Sequence, residues 1–285
     1  NLVVKGAPEG AAWRAVATQG ILHYGGPRPA TVKTLDVRWK PHQLDVLDAH
    51  VDLAPTAFLC GMATVVLEDL YPMKCTVSGE GIPLSWWVGD WWREKVMGTL
   101  SAEATMDGPI FQPDEIKIRG AWNIQGGALK KMPILRQIAV VTKDPQYDVL
   151  PLGMAKGSFE QLAGKWSVRD VVMHSEGWLR VEGGLTGHDD LFEGRLLVGL
   201  PPEKLRWIPG ARQQVFTVVR DGFLWTPMNI RGMQGMVEED LSARIIEVAG
   251  DQIVENVREL LDGGIERASD VLQELFNNSL PEIIE

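Results

Sequence analysis

The chain is poor in cysteine and tyrosine and has no long apolar run. Its 285 residues include only 2 cysteines and 3 tyrosines. No stretch approaches the roughly 20 apolar residues that a membrane-spanning helix needs, so no such helix is predicted within the sequence. Basic residues number 28 against 38 acidic ones, which gives a net charge of −10. This balance argues against a nucleic-acid partner, which favours a basic surface.

Familiar catalytic and metal-binding motifs are also missing. The sequence contains no GxSxG elbow, P-loop, HExxH or EF-hand spacing. Cys60 and Cys75 either bridge a hairpin or stay free, and their spacing does not decide between these alternatives. The run Gly-His-Asp-Asp at 187–190 is a weak metal motif, but turns select Gly and Asp for backbone reasons. We therefore predict no enzymatic activity, no metal and no cofactor.

What the sequence does contain is a series of short segments in which apolar and polar residues alternate. The pattern is clearest from Gly157 to Gly232, where the segments are separated by Gly/Asp-rich turns. Alternation with period two is typical of strands, and this spacing predicts an antiparallel meander. One segment, 44–53, has an irregularity near Leu47. Further predicted strands lie at 2–26 (two strands), 31–40, 57–67, 73–79, 98–106, 115–124 and 214–220.

Three segments have helical spacing instead. Residues 83–97 predict a short, tryptophan-rich helix, which either plugs one end of the sheet or forms a carbohydrate or membrane-interface surface. Residues 131–141 predict a second short helix. From Glu238 to about Phe276, apolar residues at three- and four-residue steps predict a long amphipathic helix with an acidic polar face. The interface candidates are Trp86, Trp87, Trp91, Trp92, Ile253, Val257, Leu260 and Leu272.

The predicted fold is mainly β with some α. We expect a long, curved antiparallel sheet over residues 1–236, with short covering helices, and a C-terminal amphipathic helical segment at 237–285. A sheet without catalytic residues can still present an apolar face, and curvature turns that face into a groove. An ordinary filled core uses the same residue types, and sequence does not separate the two. The lipid-groove candidates are Trp122, Trp166, Phe192, Phe216 and Trp225.

A series of short motifs follows in order between residues 79 and 249. The motifs are 126–129 with 132–138, Phe159, 164–170, 179–183, 190–196, and 208–210 before 215–217. This order resembles the C-terminal region of AsmA-like proteins, in the AsmA/TamB group of bacterial envelope proteins. The resemblance implies a long curved β-sheet with a hydrophobic inner face, and a role in outer-membrane biogenesis or in moving phospholipid between membranes. It carries over no catalytic residue.

The resemblance also implies a periplasmic location in the bacterial envelope, where members of the group are held by an N-terminal membrane helix. The chain opens on Asn1 and a strand-like segment, so we expect any anchor to lie outside it. Lipid or a membrane surface is the expected partner. Two alternatives stay open. One is an assembly module that binds a protein partner, or itself, through the C-terminal helix. The other is a glycan-binding or glycan-cleaving protein that uses the four clustered tryptophans at 86, 87, 91 and 92.

Overall fold

The computed structural model describes most of the chain, and its described part is mainly β-structure. The described residues are 2–6, 12–23, 29–86, 88, 93–130, 135, 146, 149–207, 210–233, 236–245, 247 and 248. The strands within them are β1 Leu2–Gly6, β2 Trp13–Leu22, β3 Ala30–Lys40, β4 Gln43–Ala54, β5 Ala57–Val66, β6 Pro72–Pro83, β7 Val96–Pro109, β8 Lys117–Lys130, β9 Val149–Leu152, β10 Met154–Leu162, β11 Lys165–Ser175, β12 Leu179–His188, β13 Leu191–Leu200, β14 Val218–Arg220, β15 Phe223–Met233 and β16 Met236–Glu239.

These strands form one large open antiparallel sheet. Strands β1 to β8 pair in chain order, and β10 to β13 and then β15 continue the same ladder. Strand β9 pairs with the end of β8, while β14 and β16 pair with different parts of β15. Almost every neighbour in the sheet is thus a neighbour in the sequence, so the predicted antiparallel meander is confirmed.

Bulges interrupt the ladders at several points. The pairing of β4 with β5 skips from Val46 to Ala49, which is where the alternation fails near Leu47. The pairing of β11 with β12 skips from Val168 to Val171, and Asp170 within this gap has a left-handed φ of 52°. A bulge leaves its extra residues unpaired and shifts the phase of the strand. The next apolar side chain therefore returns to the face that the previous one occupied.

Helical structure within the described residues consists of short turns. They include 3-10 turns at Leu84–Trp86, Pro113–Glu115 and Leu205–Trp207, a π-helical turn at Ala211–Val215 and an α-helical stretch at 241–245.

Only part of each predicted helix falls in the described chain. The predicted bounds 83–97 are too wide, because Pro83 belongs to β6 and Val96 begins β7; between them the described residues include the 3-10 turn Leu84–Trp86 and helical Arg93. Trp87, Trp91 and Trp92 lie outside the described residues, as do residues 131–141 except Leu135.

Two predicted boundaries are wrong. The segment 211–215 is helical and β14 is only three residues long, because Val215 and Phe216 are buried in the core and that burial overrides their local alternation. The predicted C-terminal helix does not begin at Glu238, because Met236–Glu239 adds to the sheet beside β15. The interface candidates Ile253, Val257, Leu260 and Leu272 lie outside the described residues.

The main core covers one face of the C-terminal strands at one end. Side chains from β12, β13 and β15 are buried there beneath residues of the connections that follow β13 and β16. Its buried members include Leu179, Val181, Leu196, Val198, Leu200, Leu224 and Met228 from the strands, and Leu205, Ala211, Val215, Phe216, Leu241 and Ile245 from the connections. A smaller cluster of Ala30, Leu53, Ala57 and Ile82 lies at the same end of β3 to β6.

The outer edge of β15 is capped where neither β14 nor β16 reaches it. The Arg244 guanidinium donates to the Thr226 hydroxyl at 3.2 Å and also to the Pro227 carbonyl. The Asn229 backbone N–H donates to the Asp240 carboxylate at 2.9 Å. Because Pro227 has no backbone N–H to satisfy, proline suits this outward-facing position. Side chains thus close an edge that would otherwise expose unpaired backbone groups.

Replacing Phe216 by Ala tests the core. Phe216 is fully buried, so Phe216→Ala is expected to lower the free energy of unfolding by about 3–5 kcal/mol in urea titrations. The control is Val219→Ala, since Val219 is 75% exposed and its change should stay within about 0.5 kcal/mol. Equal effects of the two substitutions would contradict the assignment of this core.

Candidate functional site

The register of the sheet places apolar residues in continuous rows along one face. Residues that are paired across antiparallel strands lie on the same face, so each row can be followed from pair to pair. The first row crosses twelve strands without a polar residue. It consists of Ala17, Leu35, Ala49, Gly61, Val77, Ala104, Gly120, Phe159, Val168, Leu185, Gly194 and Ile230.

A second row runs beside the first and contains one polar residue, Gln161. It consists of Ala15, Val37, Val46, Ala63, Cys75, Met106, Ile118, Gln161, Trp166, Gly187, Phe192 and Gly232. We call these two rows the apolar strip. Every residue of the first row, and every apolar residue of the second, keeps part of its surface exposed. The strip therefore differs from the core, where side chains of the same strands are buried.

Aromatic rings in and beside the strip lie over glycines of the neighbouring strand. A Cβ built on Gly157 would be 2.8 Å from the Trp122 ring, and a Cβ on Gly120 would be 2.6 Å from the Phe159 ring. Gly187 leaves the same room for Trp166, its partner in the register. Each ring thus covers backbone where the partner has no side chain, as in aromatic rescue of strand glycines. The result is a broad apolar surface.

Three of the five groove candidates lie together on this face. Trp166 and Phe192 belong to the second row, and Trp122 lies just beyond the first row, paired with Gly157. Trp166 and Phe192 also border an open depression of about 920 Å³, but most of its lining residues, such as Glu160, Ser167 and Arg231, belong to the opposite face of the sheet. Leu162 and Leu191 lie on that opposite face too, because Lys165 and His188 join them in the register.

The other two candidates do not line the apolar strip. Phe216 is fully buried in the core. Trp225 is 2% exposed and is paired with Gly199, so it lies on the opposite face of the sheet. Its indole N–H donates to the Arg220 carbonyl at 2.9 Å, and the Arg220 guanidinium lies 4.1 Å from the ring centroid. Cation–π contact and the hydrogen bond explain this position. The interface candidate Trp86 is 37% exposed at the end of β6.

The opposite face of the sheet carries polar rows. One of them crosses nine strands as Thr76, Thr105, Arg119, Glu160, Ser167, Thr186, Glu193, Arg231 and Glu238. Ion pairs join its members to neighbouring strands: Glu160 lies 2.7 Å from Lys117 and 3.4 Å from Arg119. The hydrogen bond from Lys117 is the main reason why the pKa of Glu160 is lowered. We call this surface the polar face.

Asp45 is the most buried carboxylate of the polar face. It accepts hydrogen bonds from Gln43, from Arg38 at 2.9 Å and from the Thr64 hydroxyl at 3.1 Å, and its side chain is only 5% exposed. These donors, Gln43 foremost and then Arg38, lower the pKa of Asp45 to about 2. The ionised carboxylate thus ties β3, β4 and β5 together.

The structure also brings together Cys60, His50 and Asp52, which the sequence analysis did not connect. The Cys60 Sγ lies 3.1 Å from His50 Nδ1, and His50 Nε2 lies 3.2 Å from Asp52 Oδ1. Thiol nucleophiles have lowered pKa values, whereas burial, followed by the charges of Asp48 and Glu80, raises the pKa of Cys60. The shift of the Cys60 pKa is therefore opposite in direction to that of an activated thiol. The two-residue step from His50 to Asp52 was the signal available in the sequence, whereas the pairing of His50 with Cys60 comes from the register of the strands.

The remaining sequence predictions about chemistry concern the cysteines and the motif at 187–190. Both cysteines are free, and they lie on opposite faces because Cys60 pairs with Ser78 whereas Cys75 pairs with Ala63. His188 contacts Asp189 at 2.8 Å in an exposed turn. Among the described residues, no group of three or more His, Cys, Asp or Glu side chains is arranged to hold a metal. In the same part of the chain, no helix is long and apolar enough to cross a membrane.

Comparison with known proteins gives no relative: no family model, no curated protein and no solved structure matches this chain.

The pKa of Asp45 predicts a pH-dependent contribution to stability. A lowered pKa means that the folded state favours the ionised carboxylate, so this stabilisation is complete above the unfolded pKa of 3.8 and disappears as the pH falls toward 2. Asp45→Asn should therefore lower the free energy of unfolding by about 1–2 kcal/mol at pH 7 and much less near pH 2.5. Thermal melts of both proteins between pH 2.5 and 7 measure the difference.

The matched control is Asp107→Asn. The Asp107 carboxylate is 65% exposed, 3.9 Å from Lys74, so its loss should cost less than about 0.5 kcal/mol. A difference between wild type and Asp45→Asn that stays constant from pH 7 to pH 2.5 would contradict the role given to Asp45.

Proposed function

We propose that this protein is a non-enzymatic lipid-binding protein whose apolar strip holds the acyl chains of lipids. The observation that carries the proposal is the unbroken first row, which combines apolar character across twelve strands with partial exposure throughout. Antiparallel sheets commonly pack their apolar face on a core and leave the other face in water. In this protein the polar face follows that arrangement, but a large part of the apolar face remains accessible to solvent.

The dimensions of the strip fit several acyl chains. Neighbouring strands are about 4.8 Å apart, so a row of twelve strands is roughly 50 Å long. An acyl chain that fills half of a bilayer core of about 30 Å is about 15 Å long, which corresponds to three strands. Each methylene group that leaves water for the strip contributes about 0.8 kcal/mol. This attraction is non-directional, so the strip is expected to accept many acyl chains rather than one lipid.

The chemistry of the strip favours binding over catalysis. The only titratable side chain in the two rows is the Cys75 thiol, whose pKa is raised by burial, whereas enzyme sites need several groups that transfer protons or stabilise charge. The Cys60 triad lies on the polar face, away from the strip, with a raised thiol pKa.

The resemblance to AsmA-like proteins agrees with this proposal. It adds three finer elements: a sheet that curves so that the strip becomes a groove, a periplasmic location, and a role in lipid transfer or outer-membrane biogenesis. The continuous apolar lining of the strip supports the first of these elements, the groove.

The two cysteines give a direct test, because each is confined to one face. In Cys60→Ser the only thiol is Cys75, in the second apolar row, and in Cys75→Ser the only thiol is Cys60, on the polar face. Prior incubation with a long-chain fatty acid should slow maleimide labelling of Cys75 by about tenfold or more, because acyl chains cover it. Labelling of Cys60 should be unchanged. Mass spectrometry follows both rates, and equal protection of the two thiols would contradict the proposal.

A charge placed on either face gives an independent test. Ala104 lies in the first apolar row, and the next residue, Thr105, lies on the polar face. Ala104→Glu should weaken binding of a fluorescent fatty-acid analogue by about tenfold or more, since a carboxylate in the strip must lose water when acyl chains cover it. Thr105→Glu is the matched control and should bind as the wild type does. The proposal fails if neither variant loses binding in fluorescence titrations, or if both variants lose binding equally.

A further inference from the structure

The described helical residues between 241 and 248 lie on the apolar face of the sheet. The Glu239 carboxylate accepts the Leu241 N–H at 2.7 Å, which satisfies a backbone donor at the start of this helix. Leu241 and Ile245 are fully buried against the core strands, and Val248 packs on the same cluster. The chain therefore leaves the described part of the structure while it is still in contact with the apolar face.

The apolar strip begins directly beside this contact. Leu196 and Met228 of the core form a register pair between β13 and β15. Two residues further along the same strands, the next pair on this face is Gly194 with Ile230, which belongs to the first row of the strip. Any segment that continues along this face from residue 248 thus meets the strip.

Residues 249–285, which follow this contact and lie outside the described part, have the sequence pattern of a helix with one apolar side. The members of this apolar stripe include Ile253, Val257, Leu260, Ile265, Leu272 and Leu275. From Asp251 to Glu274 the segment also contains seven acidic residues and two arginines, so its other side is acidic. An amphipathic helix obtains most of its stability from packing of its apolar side. The stripe therefore requires an apolar surface without charges.

The stripe and the strip match in length and in polarity. From Ile253 to Leu275 a helix rises about 33 Å, at about 1.5 Å per residue. With strands about 4.8 Å apart, this length crosses about seven strands, which are those from β15 back to β7. Over these strands the two rows of the strip contain no charged side chain. The strip thus offers apolar surface along the whole stripe.

Gly250 separates the buried helical residues from the stripe. On one straight helix, with about 3.6 residues per turn, Ile253 and Val257 would lie roughly a third of a turn away from Leu241 and Ile245. Both pairs can face the sheet only if the helix is interrupted between them. Glycine is unfavourable inside a helix and adopts other backbone conformations readily, so Gly250 suits this interruption.

We propose that residues 251–276 form a helix that docks by its apolar stripe on the strip from β15 to β7, and that acyl chains compete with it there. The docking needs no lipid, whereas the competition rests on the proposed function. The strip from β2 to β6, which includes Cys75, lies beyond the covered strands and stays open to ligand. The helix thus lowers the affinity of the strip until acyl chains displace it.

Thiol labelling of the full chain tests the docking without lipid. Val168 of β11 lies in the first row, within the covered part, and Val168→Cys introduces a thiol there in place of a side chain of similar size. Cys75→Ser is combined with it, so that Cys60 on the polar face is the only other thiol and serves as a reference for folding. Peptide mass spectrometry follows maleimide labelling of both thiols.

Three glutamines placed on the stripe should release the helix. Ile253→Gln, Val257→Gln and Leu260→Gln introduce a good helix former but remove the apolar contacts. Labelling of the thiol at position 168 should become about tenfold faster, because the strip is then covered for a smaller fraction of the time. Labelling of Cys60 should be unchanged.

The matched control places three glutamines on the acidic side of the same turns, as Asp251→Gln, Glu255→Gln and Glu259→Gln. It should label at the rate of the chain with an unaltered segment. The docking is overturned if the stripe variant labels no faster, if the control labels equally fast, or if Cys60 accelerates as much as position 168. It is also overturned if dilution of the unaltered segment speeds labelling, since the helix would then cover a second copy.

Titration of the same variants with a fluorescent fatty-acid analogue tests the competition. The stripe variant should bind about tenfold more tightly than the wild type, and the acidic-side control should bind as the wild type does. Faster labelling without a gain in affinity overturns the competition. If labelling behaves as expected but no variant binds the analogue, the proposed function fails and the docking stands. If the analogue binds but the stripe variant labels no faster, the docking alone fails.

Discussion

Segregation of side chains onto two faces is the constraint on which the rest of this structure depends. Strict alternation maintains it along a straight strand, but the strands here are long and their alternation is interrupted. In β4 the residues on the apolar face are Val46 and then Ala49, and in β11 they are Val168 and then Val171, a step of three residues in each strand. A shift of one residue without a bulge would turn every later side chain of the strand to the wrong face. The bulges therefore keep each apolar row continuous.

The two faces are stabilised in different ways. Buried groups on the polar face, such as Asp45, are satisfied by donors from adjacent strands, and these bonds define the register. On the apolar face, both clusters of buried hydrophobic side chains lie at one end of the strands. In β13, Leu200 is 0%, Val198 3% and Leu196 7% exposed, whereas Gly194 and Phe192 are partly open. Exposure therefore rises along β13 from the core at its last residues toward its first residues.

Much of the sheet could be predicted from the sequence because its strands depend on local alternation. Even the bulge near Leu47 was visible as a break in the pattern. Which face each aromatic side chain occupies was harder to predict. Trp166 and Trp225 both lie in alternating segments, yet the register places Trp166 on the strip and Trp225 under Arg220. Phe216 was misassigned because long-range burial, not local pattern, decides its conformation. Hydrogen bonds between hairpin tips, such as that from the Ala163 N–H to the Asp114 carbonyl, join residues distant in sequence and leave no local signal.

The gradient of exposure along the strands also determines how a ligand reaches the strip. At one end the connections fold back, and residues such as Phe216 and Leu241 cover the apolar face. At the other end the described turns at 41–42, 163–164 and 189–190 have two residues each, too few to cover it. Entry from the core end would require displacement of fully buried side chains, whereas strip residues nearer the other end, such as Phe192, are already partly exposed. These short turns thus leave the strip open on that side.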